Sequence, residues 1–253
     1  MRIYLLMLSL LLLTAQSCHS QTSDQADRHI SRGVVLSDAG DLDGALAEFN
    51  KAITLNPNEA LYYYNRGNIL HDKGDYDGAI ADYDKAIDMS LNVPQVYNNR
   101  GNSRSEKGDL DGAVADFNKA IVLKPDHANA YNNRGYVREQ QGDVEGALAD
   151  VERAIGLTSD DAYYYSNRGN IRRVKNDLVG ALADINKSVQ MDPKNARAYC
   201  NRGLVRLSQN EDAAALRDFQ QCYQLDGKLK LKFEAKATDI KQRRQIKQSG
   251  VAI

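Results

Sequence analysis

The chain lacks tryptophan altogether and has only four prolines and three cysteines in 253 residues. With 14 tyrosines, that is an ordinary composition for a helical protein. Three cysteines exclude a disulfide-stapled miniature fold. Charge of one sign is missing too: 34 acidic side chains meet 33 basic ones, for a net charge of −1. That balance gives no general case for nucleic acid or for bulk anionic membrane. Beyond the first 20 residues no apolar run approaches the roughly 20 residues a bilayer span needs. His19, His29, His71 and His127 are scattered without metal spacing, and no phosphate loop, nucleophile elbow or zinc motif occurs. The carboxylates recur at a fixed period, which suits a scaffold better than acid–base chemistry. No enzyme, cofactor, metal or small-molecule substrate is expected.

What is present begins with a leader. Arg2 precedes an apolar run from Ile3 to Leu13, and small residues follow, which is the layout of a secretory signal over residues 1–17. Ala15-Gln16-Ser17-Cys18 partly resembles a bacterial lipobox, with Ala15 where Leu is usual and Gln16 unusual in its place. Cys18 is the expected lipidation site, giving a tether that does not span the membrane. Simple cleavage before Cys18 or Gln21, releasing a secreted or periplasmic protein, is the alternative. Residues 18–25 read as a short polar linker.

The rest of the chain repeats itself. Asn-Arg-Gly occurs at 65–67, 99–101, 133–135, 167–169 and 201–203, with Ser31-Arg32-Gly33 as a sixth copy, always 34 residues apart. If each unit starts seven residues before its glycine, other columns align. The fourth position is Tyr63, Tyr97, Tyr131, Tyr165 and Tyr199, with His29 first. The twentieth is Ala45, Ala79, Ala113, Ala147, Ala181 and Ala215. The twenty-fourth is Phe49, Tyr83, Phe117, Val151, Ile185 and Phe219. Of 18 glycines, 15 fall in three columns. Small and apolar residues at three- and four-residue steps make one helical stripe. Gly then Asp at the turn, as in Gly74-Asp75, ends one helix and caps the next.

This pattern resembles the tetratricopeptide repeat over residues 26–229. The resemblance implies an all-α, right-handed superhelical solenoid of six antiparallel helix pairs, at 26–59, 60–93, 94–127, 128–161, 162–195 and 196–229, with a basic capping helix and tail at 230–253. Leu229, Phe233, Ala237 and Ile240 would form the buried face of that helix. It also implies a binding scaffold.

Two columns depart from the family. The seventh position, commonly Leu, is Arg32, Arg66, Arg100, Arg134, Arg168 and Arg202. The twenty-third is Glu48, Asp82, Asp116, Asp150, Asp184 and Asp218. Both lie at nearly one height in a hairpin, which predicts a ladder of partly buried Arg–carboxylate pairs, structural before it is ligand-binding.

In the family the first helix of each repeat lines the concave face. There the sixth and ninth positions give Asn65, Asn68, Asn99, Asn102, Asn133, Asn167, Asn170 and Asn201, the candidate peptide-binding residues. An amide donates and accepts, so it suits a peptide backbone of any sequence. Five of these Asn resemble the asparagine ladder of the O-GlcNAc transferase superhelix. Bracing of neighbouring helices is the competing reading. A carboxylate clamp is not expected, since the second and fifth positions lack its lysines. Tyr64, Tyr136 and Tyr163 add amphipathic surface.

Residues 228–253 carry eight Lys or Arg and two acidic residues, a net of +6. A solvated capping face explains this plainly, and contact with anionic headgroups or an acidic partner is the alternative. Cys200 and Cys222 read as free small core residues, with a disulfide open to them in an oxidising compartment. The expected function is an exported scaffold in the cell envelope that receives a protein or peptide in its groove, touching membrane only through a lipid. The other reading is an assembly subunit acting through its convex face or ends.

Overall fold

The structure is a computed structural model that describes residues 22–249. The leader at 1–17 and Cys18 lie outside the described residues.

The hairpins follow from turn chemistry. Gly40, Gly74, Gly108 and Gly142 adopt φ of 81–85°, and Asn176 and Asn210 hold the same place at 64° and 65°. This left-handed region is open to Gly and, next best, to Asn, so the first helix stops there. The following Asp caps the second helix: Asp41, Asp75, Asp109, Asp143 and Asp177 each accept from the backbone N–H three residues on. Each cap satisfies an otherwise orphaned donor and contributes about 1 kcal/mol.

The described chain is helical throughout and runs in consecutive pairs. It divides into two compact units, Met1–Leu123 and Lys124–Ile253. In the first unit, α1 spans 22–38, and α2 (Leu42–Leu55), α3 (Ala60–Asp72), α4 (Tyr76–Asp88), α5 (Pro94–Lys107) and α6 (Leu110–Leu123) follow. In the second come α7 (Ala128–Gln141), α8 (Val144–Leu157), α9 (Ala162–Val174), α10 (Leu178–Met191), α11 (Ala196–Ser208) and α12 (Asp212–Leu225), then a 3-10 turn at Gly227–Leu229 and α13 (Lys230–Ser249). Since α1 begins at residue 22, the end of the stretch read as linker is helical.

Within each pair the eighth-position glycine lets the helices close on one another. A Cβ on Gly101 would lie 2.8 Å from Phe117 Cε1, and one on Gly169 would lie 2.5 Å from Ile185 Cγ1. The twentieth-position alanines are fully buried beside them. Within each unit second helices also pack on the next first helix, α2 on α3 and α4 on α5 in the first and α8 on α9 and α10 on α11 in the second, so those apolar stripes are covered on both sides.

Cys200 and Cys222 form a disulfide, with Cα atoms 5.4 Å apart, joining α11 to α12. The reading of these residues as free thiols is therefore corrected. The fifth and twenty-seventh positions share one buried cluster in a hairpin, as Ile30 and Ala52 do in the first repeat. Two cysteines placed there come within bonding geometry.

The capping helix packs through the expected face. Phe233 and Ala237 are buried with Cys200, Leu204, Leu207 and Phe219, and Leu229 and Ile240 flank them. Burying Phe233 contributes about 2 kcal/mol.

Candidate recognition surface

The arginine column proves to be internal architecture. Arg66 Nε and Nη2 donate to the two oxygens of Asp82, both at 2.7 Å. The same two-pronged pairing joins Arg100 to Asp116, Arg134 to Asp150, Arg168 to Asp184 and Arg202 to Asp218. Planar forks of this kind are the strongest geometry an ion pair offers. The third nitrogen reaches the preceding repeat: Arg100 Nη1 lies 2.5 Å from Asp84, and Arg66 Nη1 2.8 Å from Asn50. Each guanidinium also lies over the tyrosine three residues earlier, 5.2–5.6 Å from the ring centre for Tyr63, Tyr97, Tyr131, Tyr165 and Tyr199.

The first repeat differs. Arg32 Nε stays 3.9 Å from Glu48, which is held instead by His29 at 2.6 Å and Lys51 at 2.7 Å. The hydrogen bond to His29, then that to Lys51, holds the Glu48 carboxyl well below its usual 4.5, at about 2.

A second arginine column escaped the sequence reading. Arg104, Arg138, Arg172 and Arg206 bind the same Asp116, Asp150, Asp184 and Asp218 at 2.7–2.9 Å. Its signal was present at the eleventh position, where four repeats carry Arg and the first two carry Leu36 and Leu70.

The amides divide by unit. In the first unit Asn99 Nδ2 donates to Asn68 Oδ1 at 2.9 Å and to Tyr64 Oη at 3.2 Å, and Asn98 donates to Asn99. Tyr83 Oη also donates to Asn68. Asn65 and Asn102 are half-buried, and their side chains make no hydrogen bond among the described residues. Asn68, Asn99 and Asn102 line a recess of about 280 Å³ with His71, Asp72 and Tyr83.

In the second unit the amides turn inward. Asn167 Nδ2 donates to Asn132 Oδ1 at 2.8 Å, and Asn201 Nδ2 to Ser166 Oγ at 3.0 Å. Asn170 accepts from Arg173. All three are buried, whereas the sequence reading set them on an open groove. Helix α13 lies across this face: Phe233 and Lys236 line one recess with Asn167, Asn170 and Asn201, and Lys232 Nζ donates to Tyr136 Oη at 2.7 Å. Asn133 stays half-buried and accepts weakly from Asn132 at 3.4 Å.

Among the described residues no cluster of His, Cys, Asp or Glu is placed to hold a metal, and no helix is long and apolar enough to cross a membrane.

Family models described as tetratricopeptide repeat match residues 31–90, 128–161 and 196–229, and one described as TPR repeat matches 101–142. No curated protein matches the chain. Among solved structures, it resembles the APC/C hetero-tetramer Cut9–Hcn1 with a TM-score of 0.73 at 18% identity, covering 90% of this chain and 45% of that one. It thus spans less than half the length of that protein. PilF of Pseudomonas aeruginosa gives 0.65 at 18% identity, with 85% and 99% covered. YrrB, described as a TPR protein with an unusual peptide-binding site, gives 0.50 at 24% identity, with 77% and 97% covered. These likenesses concern the fold, which is one of protein-interaction scaffolds. With its 34-residue period, paired helices and matching models, the chain belongs to the tetratricopeptide repeat family.

Proposed function

We propose that this protein is an exported scaffold that receives an extended segment of a protein partner on the amide-lined inner face of its first unit. Asn65 and Asn102 carry the reading: each is partly exposed, and neither spends its donors or acceptor inside the fold. Asn68 and Asn99 stand beside Asn102 in one recess, fixed by their mutual hydrogen bond. A preorganised row of amides lowers the ordering cost of binding. Asn167 and Asn201 instead hold repeats of the second unit in register, and Asn170 is bound by Arg173 within α9. YrrB, a TPR protein with a peptide-binding site, offers a parallel for such a role.

Export is supported by the leader and by the Cys200–Cys222 disulfide, since such bonds persist in oxidising compartments. No catalytic role is proposed.

The test is affinity capture from envelope extract, comparing the native chain with an Asn65→Ala/Asn102→Ala variant of equal thermal stability. Retention of a protein by the native form and its loss by the variant is expected. Equal capture by both would remove the inner face of the first unit as the binding site.

A further inference from the structure

The seventh- and eleventh-position arginines of the second unit are each neutralised by a carboxylate, but the cations gathered near Tyr136 are not. Four cations of the second unit stand apart on its inner face. Lys232 Nζ meets only the hydroxyl of Tyr136, and the Arg197 guanidinium lies over the same ring, 5.0 Å from its centre. Lys236 lines that recess with them. Arg173 donates to the neutral oxygen of Asn170 at 3.0 Å and lines a neighbouring cleft of about 710 Å³. None of the four is within ion-pairing distance of a carboxylate among the described residues. Glu139 is near enough to act on Lys236 and Arg173 but forms no bond to either, and its Oε2 is buried without a partner. Asp239 also acts on Arg173, but Arg243 holds it at 3.0 Å.

We infer that Arg197, Lys232 and Lys236, gathered around Tyr136, together with Arg173 in the neighbouring cleft, form a site for an acidic segment of a protein partner. This rests on the reading of the protein as a recognition scaffold and names the chemistry its second unit would take.

Electrostatics favours that ligand. Four like charges crowded at a partly dry surface repel one another, and a bound anion relieves all of them at once. The strain is visible in the titrating groups. Burial pulls the Lys236 ammonium below its ordinary value, with Arg173 and Lys232 adding to the shift. Burial alone would raise the Tyr136 phenol, yet Arg197, Lys232 and Lys236 together bring it below its ordinary value. The charges come from α9, α11 and α13: Arg173 lines the cleft of about 710 Å³, and the other three border a shallow dent of about 10 Å³ at the surface. That spread suits several carboxylates along one chain better than a single phosphate. Two of the four sit on α13, so the helix that covers the amides replaces them with cations.

The test is fluorescence anisotropy of the full chain with labelled deca-glutamate at low salt. Binding is expected, with affinity falling steeply as salt rises. Lys232→Ala/Lys236→Ala should weaken it by about tenfold or more, and so should Arg197→Gln, while Lys228→Ala/Lys230→Ala on the outer turn should change it by less than about twofold. Lys236→Met keeps the apolar stem and serves if the double variant unfolds. Equal weakening by both double variants would overturn the site, as would absence of binding at low salt. Displacement by millimolar inorganic phosphate would reassign it to a small ion. Binding to phosphatidylglycerol vesicles but not to deca-glutamate would reassign it to a membrane. Either result overturns the proposal. Because the probe is deca-glutamate and the residues are separate, failure here leaves the Asn65/Asn102 capture experiment standing.

Discussion

Asp116 receives two arginines, Arg100 and Arg104, while its own side chain is 4% exposed. Asp116→Ala leaves Arg100 only Asp84 and takes from Arg104 its close carboxylate at a partly buried site, so it should cost about 3 kcal/mol in urea unfolding. Arg104→Leu copies what Leu36 and Leu70 do in the first two repeats and leaves the Arg100 fork intact, so it should change stability by about 1 kcal/mol or less. Glu48 offers a pH readout. Its folded value, about 2, lies below the usual 4.5, so its contribution is complete above 4.5 and is lost as pH falls toward 2. Carboxyl NMR should follow that midpoint and find it raised in His29→Ala. The Arg–carboxylate pairing was legible because two columns of constant and opposite charge stood at one height of a hairpin. Its stacking on tyrosine was not, although both columns were noted, because the sequence reading related columns across the hairpin and not along one helix. The eleventh-position arginines were hidden by their absence from the first two repeats.

At the level of elements, glycines of the same helical class should respond in opposite directions. Gly101→Ala would drive a methyl to 2.8 Å from the Phe117 ring, and overpacking of that kind costs about 1–3 kcal/mol. Gly156 in α8 has no neighbour within 4 Å of such a methyl, so Gly156→Ala should stabilise by about 0.5 kcal/mol through helix propensity. Thermal melts of the two variants check the pair. The disulfide belongs to the same scale. It closes 22 residues, and a loop of that size is worth about 3 kcal/mol. Reduction should therefore lower the amide-exchange protection of α11 and α12. The capping helix was legible from Leu229, Phe233, Ala237 and Ile240. Its seat on the inner face was not read, although Cys200, Leu204 and Leu207 now show the reason. Where the second to fifth repeats carry side chains with a polar group at these positions, the last presents an apolar strip that α13 covers.

For the molecule as a whole, the period of 34 disclosed the helix pairs and their order before any coordinate was known. It disclosed less about the binding face, because an asparagine column serves equally as ligand donors or as internal bracing. Only burial separates Asn65 and Asn102 from Asn167 and Asn201. The export proposal has its own test. Cys18→Ser should move the protein from the membrane fraction to the soluble envelope fraction, and an unchanged distribution would remove the lipid tether.

The bond between Cys200 and Cys222 also has a mechanical meaning. A repeat protein pulled from its ends unravels hairpin by hairpin, each releasing a fixed length of chain. Here the last hairpin is stitched closed by 22 residues of separation, and those residues stay out of reach of the force. In an optical trap that rip should fall short of the others by about 70 Å, at roughly 3.3–3.6 Å per residue, and regain its full length once a reductant is added. Tension at the C-terminal end would thus become sensitive to the redox state of its surroundings.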